Sequence, residues 1–567
     1  MDKKIAAYLL ASLVQRINRD QIGSVSDQEK EALAYALNFL SDGDIPKGTP
    51  TIVEAPPAVV PPVAPKTETP AKKAPPPLPK ISLDLRSLDH QKPMAASAIL
   101  CLDFGTARSK AFASTDSEEH LDLELGKAAG NEGYTLPSSV FIAADEKAYF
   151  GAEAIDKSLS GTIANRERLD SIKSWLSLRE EGDLDSEAVS ENYNPTHFTL
   201  TEGDLIRIYL AYLTDMACVS LAEWKIDDEE VGRYVLRRFA RPCGKNPKQA
   251  AWVDNLMKRL LAEAQILADT FHGKWSGGIS IAEIKAAIEE VKSLPNRPDY
   301  LIAEGVPEPV AVAAGAVATS DNRIDAYMVV DAGAGTTDFG LFFVIRNKHN
   351  GDPKVFQVSA SIKGLNQAGD KVDLLLQAFI RSKESIESTS ISGKLVEADL
   401  RRRVRVWKEL LFSNSKLDYV LADSTIGTIT LEDFLQTPGM QQFSNRLEEG
   451  FRGALEMVDG SYLKHLATDP VRLQVILTGG SSKLTMMSDL AKGYIEVKGM
   501  KIRRELANAA PEWLVEEASE MHTVYPQLAV AIGGASRDLP STDFGPEEFI
   551  RVTRPTYVAG SMRVTGT

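Results

Sequence analysis

Asp331 closes the apolar run Tyr327-Met328-Val329-Val330 and is followed by Ala332-Gly333-Ala334-Gly335-Thr336-Thr337, after which a second apolar run extends from Phe339 to Val344. Such a pattern makes a β-hairpin whose tip is open to a ligand. Glycines at the tip let backbone N–H groups approach an anion that a Cβ would hold away, and threonine hydroxyls add donors. The chemistry on offer is phosphate binding. A weaker copy stands upstream, where Ala98 to Leu102 runs into Asp103, turns through Gly105, Thr106 and Ala107, and returns from Ser109 to Ala113. One such turn usually just connects strands. Two, with the aspartate in the same place, predict a pair of similar lobes offering one loop each to a shared ligand. A third candidate is Gly479-Gly480-Ser481-Ser482-Lys483, which follows the buried-type strand Arg472 to Thr478 and suits a nucleoside beside the phosphates.

The elements around these loops alternate between strand and helix, which places the body in the α/β class. Strands are expected at Leu136–Ile142, Tyr234–Phe239, Asp299–Glu304, Asp325–Val344 and Val355–Ser361. Helices are expected over Ala152–Leu178, Thr201–Glu223 (strongly amphipathic), Lys248–Phe271, Asp370–Glu384 and Val396–Leu411. The division read from the sequence is a helical module at 1–44, a Pro-rich disordered linker at 45–96, lobe I at 97–320, lobe II at 321–540 and a tail at 541–567. In the first segment Ile5, Leu9, Leu13 and Ile17 form one helical stripe, and Ser26-Asp27-Gln28-Glu29 has the form of a capping box before a second helix. Two short helices bury too little alone, so this module is expected to dimerise or dock. Proline clusters such as Ala55-Pro56-Pro57 and Ala74-Pro75-Pro76-Pro77 make the following segment a spacer.

Length and composition set limits on function. A chain of 567 residues with 43% hydrophobic and 25% charged residues is globular and holds several domains. Its 79 acidic against 64 basic side chains give a net charge of −15, which disfavours non-specific binding to nucleic acid or anionic membrane. The local basic stretches Arg233–Arg241 and Arg401–Lys408 read as solvated faces or interface salt bridges. Three scattered cysteines and seven histidines show no transition-metal spacing, and the cysteines read as reduced thiols of a cytoplasmic protein. No apolar run reaches the roughly 18–20 residues of a membrane span.

Taken together, Asp103-Phe104-Gly105-Thr106, Val306-Pro307-Glu308-Pro309-Val310-Ala311, Asp331 to Thr336, Leu477-Thr478-Gly479-Gly480-Ser481-Ser482-Lys483 and Tyr525-Pro526-Gln527 to Ala535 resemble, in order, the motifs of the actin-like ATPase superfamily, and more closely those of the nucleotide-binding domain of the 70-kDa heat-shock chaperones. The resemblance covers about Ser97 to Ala535. Leu169 to Leu176 is similar to the segment that bears that family's catalytic lysine. The first 45 residues look like the dimerisation domain of small glutamine-rich tetratricopeptide co-chaperones.

The resemblance implies a two-lobed actin-like fold binding ATP and Mg²⁺. Asp103 and Asp331 would hold the metal's water shell. Gly105, Thr106, Ala107, Gly333, Ala334, Gly335 and Thr336 would cradle the phosphates. Lys173 and Glu308 would stabilise the γ-phosphoryl charge and orient the attacking water, with Asp331 and Thr336 completing the catalytic set. Lys408, Gly479, Gly480, Ser481 and Lys483 would contact the nucleoside. Two departures stand out. Arg405 occupies a place where the family carries a glutamate, which leaves base and ribose recognition open. Only a short stretch follows Gly534, so no C-terminal peptide clamp is expected. The implied function is a slow ATP-hydrolysing switch that couples nucleotide state to a protein partner, as a homodimer through residues 1–44. A filament-forming actin-like protein, a small-molecule kinase and an ATP-binding pseudoenzyme are the alternatives.

Overall fold

The apolar run ending at Asp103 forms a fully buried strand, β1 (Ile99–Asp103), and the chain returns antiparallel as β2 (Arg108–Ser114) and β3 (His120–Asp122). Two later strands, β4 (Leu236–Arg241) and β5 (Ile302–Pro307), add parallel to the other side of β1. The sheet order is β5-β4-β1-β2-β3. Lobe II repeats it. There β6 (Ile324–Ala332), β7 (Thr337–Arg346) and β8 (Pro353–Gln357) form the antiparallel meander, and β9 (Leu473–Thr478) and β10 (Met500–Leu506) lie parallel to β6, giving β8-β7-β6-β9-β10 with Gly493–Val497 at the edge. The chain is thus an α/β protein with two mixed sheets of one topology, each flanked by helices, consistent with a two-lobed actin-like fold. This computed structural model describes residues 76–553 apart from 96, 117–118, 161–165, 227–228, 245, 317–323, 347–352, 388–389, 509, 518 and 544. The helical module at 1–44, most of the linker and the end of the tail lie outside the described residues.

The helices of lobe I are set by caps and burial. Thr201 and Asp204 form a reciprocal capping box that starts α2 (Glu202–Leu221), after the short α1 (Ser174–Leu178). Asn246 accepts from the Gln249 amide at 2.9 Å and Pro247 occupies the first turn of α3 (Pro247–Thr270). The amphipathic character expected of α2 is not what the fold uses: Asp204, Arg207, Thr214 and Asp215 are buried along with its apolar residues. Arg207 is clamped by Asp185 and Glu263, and Asp204 by Lys285 (3.0 Å) and Lys292 (2.6 Å). Ion pairing lets a polar face go inside, because each charge keeps a partner in place of water. The two lysines lie on α4 (Ile281–Ser293), which precedes β5. The strand expected at Asp299–Glu304 begins at Ile302, because Asp299–Leu301 is a 3₁₀ turn.

Composition alone assigns residues 76–96 to a disordered linker, yet part of this segment packs on lobe I. Ile81, Leu83 and Leu88 lie against its core, the Asp84 amide donates to Thr270 Oγ1 at 3.0 Å, and Tyr300 donates to the Ser87 carbonyl at 2.8 Å.

Lobe II is flanked by α6 (Gly369–Lys383), α7 (Ile391–Asn414) and α8 (Pro438–Glu456), with Trp407 of α7 buried among them. Two further helices tie the lobes together: α5 (Glu308–Ala316), directly after β5, and α9 (Tyr525–Gly534). They cross where a methyl on Gly533 would sit within 2.9 Å of the Gly315 amide nitrogen and closer still to the Ala311 carbonyl. Only glycine permits this approach. Around the crossing, Cys101, Phe112 and Ala240 of one sheet and Val329, Phe342 and Ile476 of the other share one apolar cluster with Val310, Val312, Leu528 and Ile532. Among the described residues, no helix is long and apolar enough to cross a membrane.

Candidate functional site

Both hairpin aspartates lie at the end of a central strand, Asp103 as the last residue of β1 and Asp331 as the last but one of β6, where the two lobes meet. Within each hairpin the register opposes that aspartate to a different residue: Asp103 to Lys110 in lobe I, Asp331 to Asp338 in lobe II. Lys110 Nζ pairs with Asp103 at 2.9 Å. Asp331 accepts from Thr478 Oγ1 of the neighbouring strand β9 at 2.9 Å.

The two turns meet across the cleft, since a methyl on Gly335 would lie 2.8 Å from Thr106 Oγ1. The lobe I turn is anchored by Ser138, whose hydroxyl donates to the Gly105 carbonyl at 2.6 Å and whose amide donates to the Ala107 carbonyl at 2.9 Å. In lobe II the carbonyls of the turn are also taken up by protein. Ala332 accepts from the Ser481 amide (2.9 Å), Gly333 from Ser481 Oγ (2.6 Å) and the Gly369 amide (3.3 Å), and Ala334 from the Asp370 amide (2.7 Å). The Gly333 amide is spent on Thr336 at 2.9 Å, while no hydrogen bond among the described residues engages the amides of Ala334, Gly335 and Thr336. Consecutive unengaged amides of this kind form a concavity suited to an anion.

Beside the turns sits a buried ionic cluster. Lys173, just before α1, donates to Glu308 at the first position of α5, and both are more than nine-tenths buried, as are Asp103, Asp331 and Asp338. Burial disfavours the ammonium of Lys173, but the charges of Glu308, Asp103 and Asp338 outweigh it and raise its pKa. Glu308 is raised by burial against the pull of Lys173, and the Asp331 carboxyl is pushed up to about 8 by burial and by Glu308 and Asp103. Four carboxylates thus face two ammonium groups, Lys110 and Lys173. The Oδ1 of Asp338 accepts from the Cys243 amide at 3.0 Å, whereas its Oδ2 is buried without a hydrogen-bond partner. Hard oxygen donors, surplus negative charge and an orphaned carboxylate oxygen together suit a divalent cation of the Mg²⁺ kind. Among the described residues no three His, Cys, Asp or Glu side chains are grouped to ligate an ion directly.

The residues expected at the nucleoside divide. Ser481 and Lys408 come to the lobe II turn: a methyl on Gly369 would lie 2.7 Å from Ser481 Oγ and 3.2 Å from Lys408 Nζ. Lys408 donates to the Gly369 carbonyl at 3.1 Å and pairs with Asp373 at 2.7 Å. Gly479 turns at φ +85°, where a methyl would be 2.2 Å from the Ala332 carbonyl oxygen. Gly480 and Lys483 are exposed on the same turn.

Two cluster members escape the sequence reading. Asp338 lies inside the motif that carries Asp331, and Lys110 inside the motif that carries Asp103. The signal for both is positional, since each is the register partner of the aspartate already singled out. The basic stretches resolve as internal pairing: Arg233 with Asp215 (2.6 Å) and Asp269 (3.1 Å), Arg401 with Glu167 (2.9 Å), and Arg405 with Asp370 (2.8 Å). No protein-family model matches the chain, and no curated protein matches it at a significant level.

Proposed function

We propose that this protein is a Mg-ATP-binding, slowly ATP-hydrolysing switch, akin to the nucleotide-binding domain of the 70-kDa heat-shock chaperones. The observation that carries this reading is the convergence of a Lys173–Glu308 pair and three buried aspartates on two glycine-containing turns from opposite lobes. Mg²⁺, when bound, neutralises charge on the phosphate oxygens. Asp103, Asp331 and Asp338 would hold its water shell.

The chain's own residues do the rest by positioning. Amides of Ala334, Gly335 and Thr336 and the Thr106 hydroxyl donate to phosphate oxygens. Lys173 meets the negative charge of the transferring group. Glu308, oriented by Lys173, accepts a hydrogen bond from the attacking water and acts as a weak base. A ligand touching both turns favours the closed cleft, because a ligand shifts a conformational equilibrium only through differential contacts. The output is nucleotide-dependent binding of a protein partner, with residues 1–44 as a homodimerisation module.

The test is phosphate release from Mg-ATP by the purified protein, beside Asp331→Ala and Glu308→Ala, with light scattering followed in the same sample. Slow release that both substitutions abolish, without scattering, is the expected result. ATP-dependent scattering would instead favour a filament, and background release by wild type and variants alike would remove hydrolysis.

A further inference from the structure

Lobe I buries a further cation that no part of the ATPase reading uses. Arg237 stands near the start of β4, at the end of that strand remote from Cys243 and the phosphate turns, and in register it lies between Leu100 of β1 and Ile302 of β5. Its side chain is fully buried. Nη2 donates to the Arg233 carbonyl at 2.6 Å and to Cys218 Sγ of α2 at 3.4 Å. Nε and Nη1 have no hydrogen-bond partner among the described residues. The buried carboxylates of this region, Asp215 and Asp269, are engaged elsewhere, by Arg233 (2.6 and 3.1 Å), Trp275 (2.9 Å), His272 (2.9 Å), Gln265 (2.9 Å) and Tyr234 (3.3 Å). Two fully buried hydroxyls, Ser87 Oγ and Thr214 Oγ1, also lack a partner among the described residues. Thr214 precedes Cys218 by one turn of α2. Ser87 is held by Tyr300, whose phenol donates to its carbonyl at 2.8 Å and lies within the field of Arg237.

We infer that Arg237 holds a chloride-sized anion inside lobe I, and that this anion fastens the strap of residues 81–94 that closes over it. Nothing in this depends on ATP. A water molecule accepts from Nε or Nη1 but leaves the positive charge uncompensated, and such a charge in an apolar interior is far costlier than one unmade hydrogen bond. The neighbouring groups that could ionise do not supply the missing charge. Burial raises the pKa of the Cys218 thiol against the pull of Arg237 and Arg233, and burial likewise raises the Tyr300 phenol against the pull of Arg237, so both stay neutral. A small anion meets both demands, accepting from Nε and Nη1 and from hydroxyl protons that rotate toward it. Enclosure sets its size: Arg237, Ser87, Thr214 and Cys218 are each at most 1% exposed, which suits a halide and not a phosphate ester. The strap is the lid. Its Asp84 amide donates to Thr270 Oγ1 (3.0 Å), its Ser87 carbonyl accepts from Tyr300, and its Met94 amide donates to the Tyr234 carbonyl (2.8 Å). Releasing the ion therefore requires the strap to lift, and losing the ion removes what Ser87 would bind beneath it.

The test uses the full chain, dialysed exhaustively into potassium chloride or into potassium gluconate, whose anion is too large to enter, at the same ionic strength of about 150 mM. Amide hydrogen exchange is followed over residues 81–94 in wild type and in Arg237→Met. The expected result is protection about 10-fold higher in chloride for wild type, the factor for an ion present at roughly ten times its Kd, and no dependence on the salt in Arg237→Met. Equal protection of wild type in the two salts would overturn the anion, as would a chloride effect that survives in Arg237→Met. Crystals of the wild type grown in sodium bromide decide even if that variant fails to fold. An anomalous-scattering peak within hydrogen-bond distance of Arg237 Nε and Nη1 supports the site, and density there without an anomalous signal, or no density, overturns it.

Discussion

Lys173 donates directly to Glu308, and this buried pair joins the loop ahead of α1 to the first turn of α5. The two partners are not equivalent. Removing the lysine leaves four carboxylates facing Lys110 alone, whereas removing the charge of Glu308 relieves repulsion with Asp103, Asp331 and Asp338. Lys173→Met is therefore expected to destabilise the protein by about 3–5 kcal/mol and Glu308→Gln by clearly less, read from urea unfolding. Phosphate release should fall roughly 10²- to 10³-fold in Lys173→Met.

Gly479 and Gly480 are adjacent but face opposite constraints. The first has positive φ and no room for a methyl, and the second has open space around its Cβ position. Gly479→Ala should cost about 2–4 kcal/mol and displace Asp331, whose Oδ1 lies 2.9 Å from the same methyl position. Gly480→Ala should stay within about 0.5 kcal/mol. Thermal unfolding of the two single variants separates them.

The ionic layer under α2 makes lobe I sensitive to acid. Burial alone would raise the Asp185 carboxyl, but Arg207 and Lys292 hold it well below the usual carboxylate range, and Lys292 and Lys285 do the same for Asp204. A folded-state pKa below the unfolded value means that the stability is fully present above about pH 4 and is lost as pH falls through the folded-state values. The contribution of this layer, read as the difference in urea midpoint between wild type and Asp185→Asn, should be constant from neutral pH down to about pH 5 and shrink below about pH 4. Asp185→Asn should start lower at neutral pH and lose less on acidification.

Residues 81–88 belong mechanically to lobe I, although their proline-rich surroundings assign them to a spacer. Deleting the chain through residue 96 should lower the stability of lobe I by roughly 2–4 kcal/mol, the scale of exposing the surfaces under Ile81, Leu83 and Leu88. Equilibrium unfolding followed by the fluorescence of Trp275, buried in that lobe, is the readout.

What could be read from the residues follows the range of the forces. The two aspartate hairpins were legible because strand, turn and strand are contiguous and glycine marks the turn. The likeness of the two lobes followed from the repeat of that hairpin, whereas the strand order of their sheets came only with the structure. Asp338 was not legible by type, since a carboxylate at the start of an apolar strand looks like a turn residue until register sets it opposite Asp331. The polar residues of α2 imitate a solvent face because their counter-charges, Asp185, Glu263, Lys285 and Lys292, lie elsewhere in the chain. Arg405 posed the same difficulty: its partners Asp370 and Asp170 become neighbours only when the lobes come together.

The position of α9 bears on the order in which the molecule can be made. Gly534 leaves no room for a methyl beside Cys101 of β1, the Ser114 hydroxyl of β2 donates to the Ala535 carbonyl at 2.5 Å, and Arg238 of β4 reaches the Gly534 carbonyl. Lobe I emerges first from the ribosome, yet its sheet lacks a floor until residues near 535 have been synthesised. A nascent chain stalled anywhere in lobe II would expose Cys101, Phe112 and Ala240 together, and that apolar surface is what a cellular holdase would recognise.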